Sequence, residues 1–378
     1  MVTADISVRF LLVDHIQALR GMGHQVVAVC APGPFVEELR AQGIEMALAP
    51  MTREPRPWRD LQSLRGLVRC FRENKFHVVH THTPKAGLLG PLAARIAGVP
   101  AIVHTIHGLL FHDRQSRWEQ SACWLPEKIT ATGSHHLLSQ SREDVETCAR
   151  RGLCSPEKIT YLGNGVDIER FKPAATETRR AARAELGFEA SDFVIGSVGR
   201  LVYEKGFAEL FAAAEITRAK FPDAKFVVIG PEEHDQKDAI PPACIADLAK
   251  RSIIRFAGMQ PVMAKWYAAM DAFILPSHRE GVPRACMEAS ASGLPVIASD
   301  IRGCREVVVN GVTGFLVPMK DAPQLADSIE RLMENRDETA CMGKRGRMHI
   351  AKNFNQRQVL ERLCAFYGRI EAELSQKS

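Results

Sequence analysis

The sequence predicts an α/β protein made of two doubly wound, parallel-sheet domains. Three observations carry this. Short apolar runs bounded by turn residues alternate with stretches of helical periodicity, a βαβα rhythm that builds a parallel sheet covered on both faces. With 378 residues the chain has room for two domains of roughly 100–200 residues each. Midway along, the pattern restarts: a polar, alanine-rich helix over 176–186 gives way to a new strand-like run at Phe193, Val194 and Ile195.

Taken in order, the first helix is expected over 9–22, capped by Ser7 and closed by Gly23. Only six residues precede that cap, which predicts a clipped or unusually short first strand. Gly21 and Gly23 follow this helix instead of opening it, so they read as its stop and not as a dinucleotide fingerprint. A strand over 25–30, a helix over 35–42 and a short strand near Met46 come next. From Trp58 the apolar residues Leu61, Leu64, Leu67, Val68 and Phe71 recur at helical spacing. Seven basic residues accompany them over 53–75 (Arg53, Arg56, Arg59, Arg65, Arg69, Arg72, Lys75) against three acids (Glu54, Asp60, Glu73), so most of the chain's net charge of +5 lies here. Two readings stand open for this 53–75 basic helix: a sheet-packed helix with a solvated flank, or one that leans on an anionic membrane surface.

Two strands then end in histidines. The run 77–82 is His-Val-Val-His-Thr-His, the run 101–108 is Ala-Ile-Val-His-Thr-Ile-His-Gly, and a small-residue helix over 86–97 lies between them. Ligands of open α/β sheets bind beyond the carboxyl ends of the strands, which puts His82 and His107 at a candidate site. A metal is not expected there, because no acidic ligand or His-x3-His spacing accompanies them. The loop over 109–118, with Phe111, His112, Asp113 and Arg114, reads either as a wall of that site or as a surface excursion. Beyond it a strand is expected over 129–132, a turn at Ser139 to Ser141, and a helix over 142–151 with Ser141 as its cap and Asp144 serving that cap.

The second half carries the densest motifs. The strand from Phe193 runs into Gly199-Arg200-Leu201, and Lys205-Gly206 precede a helix from Phe207. Gly199 lets backbone approach a ligand, Arg200 offers a planar fork for phosphate oxygens, and Lys205 adds a point charge at a helix start. Short strands over 225–230 and 253–258 and a helix over 266–270 lead to the strand 272–275. After it comes Glu280-Gly281-Val282-Pro283, then a helix with Pro283 near its first turn, Glu288 on it and Gly293 as its stop. Strand, loop and helix start together make an anion site, with Glu280 and Glu288 at its two ends. Any two glutamates in isolation would read as a solvated loop acid and a helix-surface acid; the context of these two says more.

That context, the Gly-Val-Pro after Glu280 and the Ala after Glu288, resembles the Glu-x7-Glu signature of the retaining glycosyltransferases of family 4, which have two facing Rossmann-like domains, the GT-B fold. Gly199-Arg200-Leu201 with Lys205-Gly206 resembles the family's Gly-Arg-Leu-x-x-x-Lys-Gly. Asn164-Gly165-Val166-Asp167, with Phe171 and Pro173, resembles its hinge, and His107-Gly108 its acceptor-side histidine. The resemblance implies an acceptor-side domain over 1–166, completed by 359–378, and a donor-binding domain over 167–358. It implies transfer of a sugar from a nucleotide-sugar donor, UDP-linked, to a glycan or lipid-linked acceptor, with no cofactor and no metal. Gly199, Arg200, Lys205, Glu280, Gly281, Val282, Pro283 and Glu288 would bind the donor, Arg200 and Lys205 on its diphosphate, Glu288 on the ribose and Glu280 on a sugar hydroxyl. Glu280, His107, Arg200 and Lys205 are the implied catalytic set; His107 and, more weakly, His82 and His80 lie on the acceptor side. One departure stands out: where the family often has a second glycine, Gly303 is followed by Cys304, expected to narrow a donor contact. A nucleotide-sugar epimerase or hydrolase on a similar scaffold is the alternative.

Composition narrows the remaining classes. Hydrophobic content of 46% and charged content of 25% are those of an ordinary soluble enzyme. No apolar run approaches the ~18 residues of a membrane-spanning helix. Ten cysteines without a Cys-x-x-Cys pair argue for reduced thiols over zinc or disulfides. The absence of Gly-x-Gly-x-x-Gly after either domain's first strand disfavours a nicotinamide enzyme. No nucleic-acid partner is expected. The start lacks the basic and apolar regions of a secretory signal, so the expected location is cytoplasmic, with peripheral contact to the inner face of the membrane.

Overall fold

In the computed structural model, which describes residues 1–52, 56–111, 115–233 and 236–376, the chain divides into two units, Met1–Gly163 with Arg357–Ser378 and Asn164–Gln356. The first unit runs α1 (Asp5–Ser7), a π-helical turn (Val8–Leu12), α2 (Val13–Gly21), β1 (Val27–Cys30), α3 (Val36–Ala41), β2 (Glu45–Leu48), α4 (Pro57–Asn74), β3 (Val78–Thr81), α5 (Pro84–Ala97), β4 (Ala101–Ile106), α6 (Arg117–Gly133), β5 (His136–Ser139), α7 (Arg142–Arg150) and β6 (Ile159–Tyr161). Its strands form a parallel pair β1-β2 and a parallel sheet β3-β4-β5-β6.

Residues 1–4 join the two. The Val2 amide donates to Val29 O and the Ala31 amide to Thr3 O on one side, while the His82 amide donates to Met1 O on the other. Between β1 and β3 lies a cavity of about 890 Å³ walled by Ile16, Leu19, Val27, Phe76, Val78 and Tyr367. The helical run after residues 1–4 starts at Asp5, not near Arg9, and Ser7 makes no capping bond because it already lies in helical conformation.

A second correction falls on 129–132. Its β-branched residues read locally as a strand, yet they close α6, and the strand of this stretch is β5, a few residues later. A helix that starts from a complete capping box at Ser116 and Glu119 carries through them. Ser141 does cap α7, accepting from the Asp144 amide at 3.0 Å. His112, Asp113 and Arg114 of the 109–118 loop, and Arg53 and Glu54 of the basic segment, lie outside the described residues.

The second unit runs α8 (Thr176–Leu186), β7 (Phe193–Val198), a 3-10 turn (Tyr203–Lys205), α9 (Phe207–Lys220), β8 (Ala224–Ile229), α10 (Pro242–Lys250), β9 (Ile254–Phe256), α11 (Met263–Ala269), β10 (Ala272–Leu275), α12 (Arg284–Ala291), β11 (Val296–Ser299), α13 (Cys304–Val307), β12 (Gly314–Val317), α14 (Ala322–Glu334) and α15 (Arg336–Asn353). Its six-stranded parallel sheet has the order β12-β11-β10-β7-β8-β9. Strand order reverses between β7 and β10, and the crevice outside such a switch point is where open α/β sheets bind ligands. The last helix, α16 (Gln356–Ser375), belongs to the first unit: Val359, Leu363, Phe366, Tyr367 and Ile370 are buried with Leu19, Val103, Leu138 and Leu162.

Candidate functional site

Two loops leave the switch point of the second unit, one after β7 and one after β10, and they meet backbone to backbone. Gly206 adopts φ +73°, and a Cβ there would lie 1.9 Å from Pro276 O, so only glycine permits the approach. Gly303, also at φ +73°, brings the loop after β11 onto the same place, where a Cβ would fall 1.4 Å from Gly281 O. Side chains then tie the first two loops together. The His278 amide donates to Glu204 O, Arg279 Nε donates to Glu204 Oε1 at 2.8 Å, and the His278 ring bonds Glu209 Oε1 at 3.1 Å. Above these ties Lys205 Nζ donates to Glu280 Oε1 at 2.6 Å, with both side chains mostly enclosed. The stem of Lys205 covers Gly199, whose missing Cβ would sit 3.5 Å from Lys205 Cγ.

The other donor-side candidates surround this pair. Arg200 is directed at the loop after β8, donating to Gln236 Oε1 at 3.0 Å with Glu233 Oε1 at 3.6 Å. Glu288, on α12, accepts from Arg284 Nε at 3.2 Å and from the Tyr267 hydroxyl at 3.1 Å. Burial raises its carboxyl above the usual range, against the pull of Arg284 and Tyr267. The Val282 carbonyl accepts from Asn164 Nδ2 at 2.9 Å. Cys304 is fully buried in the apolar cluster that also holds Cys286 and Val282, and burial, with the nearby Glu280 charge, pushes its thiol well above the ordinary value. No sequence spacing reveals the ties through Glu204, Glu209, His278 and Arg279, whose partners are 69 and 75 positions apart.

In the first unit β3 and β4 are parallel neighbours, so the residues that follow them come together. His82 Nδ1 and His107 Nε2 are 3.1 Å apart, and Gln140 bonds the His107 ring as well. His80 stacks on His82 with ring centroids 4.2 Å apart, but its own nitrogens are taken by Thr105 Oγ1 at 2.7 Å and the Tyr367 hydroxyl at 3.0 Å. Both ring nitrogens of His80 are thereby engaged within the first unit. Burial lowers all of these rings: His107 to about 4, His104 to about 3, and His80 and His82 well below the ordinary histidine value. At neutral pH they are uncharged imidazoles that donate or accept hydrogen bonds. Among the described residues no group of three or more His, Cys, Asp or Glu side chains is arranged to hold a metal ion.

Comparison with known proteins agrees along the whole length. The family profile "Glycosyltransferase Family 4" matches residues 10–170 and "Glycosyl transferases group 1" matches 178–349. The chain is 33% identical over 299 residues to the UDP-Gal:alpha-D-GlcNAc-diphosphoundecaprenol alpha-1,3-galactosyltransferase of Escherichia coli, covering 79% of this chain and 76% of that one. It is 30% identical over 373 residues to the capsular polysaccharide biosynthesis glycosyltransferase CapM of Staphylococcus aureus, covering 97% and 96%. Among solved structures, Anabaena Alr3699/HepE in complex with UDP and glucose superposes with a TM-score of 0.80 at 20% identity, over 97% of this chain and 98% of that one. Sucrose-phosphate synthase from Thermosynechococcus elongatus gives 0.80 at 23%, over 94% and 91%. These structural likenesses establish the GT-B fold.

Proposed function

Because the chain belongs to glycosyltransferase family 4, we propose that it transfers a hexosyl or N-acetylhexosaminyl group from a UDP-sugar to a glycan or lipid-linked acceptor, with retention at the anomeric carbon and without a bound divalent metal. The observation that carries the reading is the Lys205–Glu280 pair at the β7/β10 switch point. An ammonium has three donors. Lys205 can therefore keep Glu280 while offering another N–H to a diphosphate oxygen, and Glu280 fixes where that N–H points.

In the proposed reaction the bond from the anomeric carbon to the diphosphate oxygen breaks, and the acceptor oxygen bonds that carbon from the same face. The acceptor proton passes to the departing phosphate, leaving UDP and the glycosylated acceptor. Lys205 and Arg200 supply the positive charge that stabilises the leaving diphosphate, a contribution of about 3 kcal/mol for one well-placed donor. Arg200 must first exchange Gln236 and Glu233 for phosphate. Glu288 keeps lone pairs for the ribose hydroxyls beside its bonds to Arg284 and Tyr267. His107, uncharged and oriented by His82 and Gln140, is the acceptor-side group. The similarity to the E. coli relative, a UDP-Gal:alpha-D-GlcNAc-diphosphoundecaprenol galactosyltransferase, supports both the UDP and the lipid-linked part of the reading.

Contact with the membrane surface is part of the proposal. No helix among the described residues is long and apolar enough to cross a membrane. The solvent side of α4 instead presents Arg56, Arg59, Arg65, Arg69, Arg72 and Lys75, all exposed, with Asp60 bound to Lys85 at 2.6 Å. Trp58 at the start of α4 is 83% exposed and Trp118 at the start of α6 is 87% exposed, and α5 packs between the two helices. Tryptophan and basic residues together suit an anionic headgroup layer.

A thermal-shift panel of UDP- and GDP-sugars, followed by product analysis with a lipid-diphosphate acceptor, tests the reading. Stabilisation by UDP-sugars is expected; none by any nucleotide-sugar overturns it, and turnover of UDP-GlcNAc without acceptor points to an epimerase or hydrolase.

A further inference from the structure

Immediately after His107-Gly108 the backbone is held by two carboxyl groups from different helices. The Leu109 amide donates to Asp144 Oδ2 of α7 at 3.2 Å, and the Leu110 amide donates to Glu127 Oε1 of α6 at 3.3 Å. Both acids are buried, Asp144 to 2% exposure and Glu127 to 8%. Asp144 also starts α7, its amide on Ser141, but Glu127 has no such local duty. It lies instead on a small cavity of about 40 Å³ shared with His82, His104, His107, Gly108 and Leu110. That is a titratable group facing the acceptor-side histidines from behind, on the element next to their strand.

We propose that Glu127 is a positioning residue for His107: its carboxylate pins the 108–110 loop through the Leu110 amide and so sets the height of the His107 ring in the acceptor site, while its acid form holds the loop less firmly. This rests on the glycosyltransferase reading above. A charged acceptor makes a hydrogen bond roughly twice as strong as a neutral one, so ionisation tightens the loop. Burial pushes the Glu127 carboxyl up to about 7, the Leu110 amide opposing and the Asp144 charge adding to the rise. The change of state therefore falls near neutral pH. The groups that face Glu127 are Asp144 from α7, His104 and His107 from β4 and its exit, and His82 from the exit of β3. Lys128, next on α6, is turned to the carbonyls of Gly152 and Leu153, Arg151 lies over Phe111, and Lys85 of α5 is held by Asp60.

Glu127→Gln keeps an acceptor for Leu110 but cannot ionise, and Asp144→Asn removes the neighbouring charge. In the wild type, kcat/KM for the acceptor should rise about tenfold from about pH 6 to about pH 8, the gain in ionised fraction of one group with its midpoint near 7. The rise should vanish in Glu127→Gln and its midpoint should move to lower pH in Asp144→Asn, with UDP affinity unchanged in both. Amide exchange of residues 109–110, corrected for its intrinsic pH dependence, should slow over the same range in the wild type, at lower pH in Asp144→Asn, and not at all in Glu127→Gln. A wild-type pH profile or exchange pattern in Glu127→Gln overturns the proposal, as does an equal loss of UDP affinity. The exchange experiment needs no turnover, so a chain that transfers no sugar defeats the functional reading without deciding this one.

Discussion

Lys205 Nζ and Glu280 Oε1 stand 2.6 Å apart although 75 residues separate them. One follows β7 and the other β10, the two strands that flank the reversal of strand order. Their pairing predicts that the two act as one unit. Lys205→Ala should lower kcat about a hundredfold, and Lys205→Ala with Glu280→Ala should cost little more, a coupling of about 1–3 kcal/mol. Steady-state kinetics of the four species measure it; strictly additive losses would show the pair to be incidental.

Glu288 is expected to act on donor affinity. Glu288→Ala should raise the donor KM about tenfold, near 1.4 kcal/mol, with a smaller change in kcat. Its carboxyl is raised by burial, and the ionised form is the better acceptor for ribose hydroxyls. The donor KM should therefore climb as pH falls toward that raised value, earlier than a solvent-exposed glutamate would allow. Titration of UDP binding against pH checks the sign, and an affinity independent of pH in the acid range would contradict it.

Gly303→Ala should disrupt the site without touching a charged residue. The left-handed φ and the 1.4 Å approach to Gly281 O leave no room for a methyl group. We expect a loss of about 2–4 kcal/mol in the second unit and weaker UDP binding. Chemical denaturation and calorimetric titration of the variant are the measurements; wild-type stability would mean that the loops separate at no cost.

The buried histidines predict acid sensitivity of the first unit. Their folded values lie below the ordinary 6.5, so the neutral forms stabilise the fold, fully so above about 6.5 and progressively less as pH falls toward the folded values. For His107, at about 4 when folded, the contribution is roughly 3 kcal/mol. Thermal melts should drop steeply below about pH 6.5, more shallowly in His107→Gln. A melting temperature flat from neutral pH down to about 4.5 would rule this out.

Replacing Trp58 and Trp118 together with alanine should weaken sedimentation with anionic vesicles about tenfold, and added salt should weaken it further. Binding that ignores lipid charge, or survives both substitutions, would remove the membrane contact from the proposal.

Much of the fold was legible from short-range pattern. The alternation of strands and helices, the restart at Phe193, the caps at Ser141 and Gly293 and the motifs around Gly199 and Glu280 each reside within about ten residues, the range over which periodicity and turn chemistry act. Where that pattern failed, longer context won: residues 129–132 carry β-branched side chains, yet a helix already under way from Ser116 absorbs them, and Ser7 was passed over because the helix had begun at Asp5.

By itself the sequence determined an α/β chain of two parallel-sheet units, which rests on local pattern, and carried motifs that resemble those of a glycosyltransferase family. Only the tertiary structure decided that Lys205 is held by Glu280, that His82 and His107 share a hydrogen bond, and that Glu127 lies behind them. Those relations depend on which strands become neighbours and how much water the neighbours exclude. Strand order and burial are properties of the folded sheet that no short window of sequence contains.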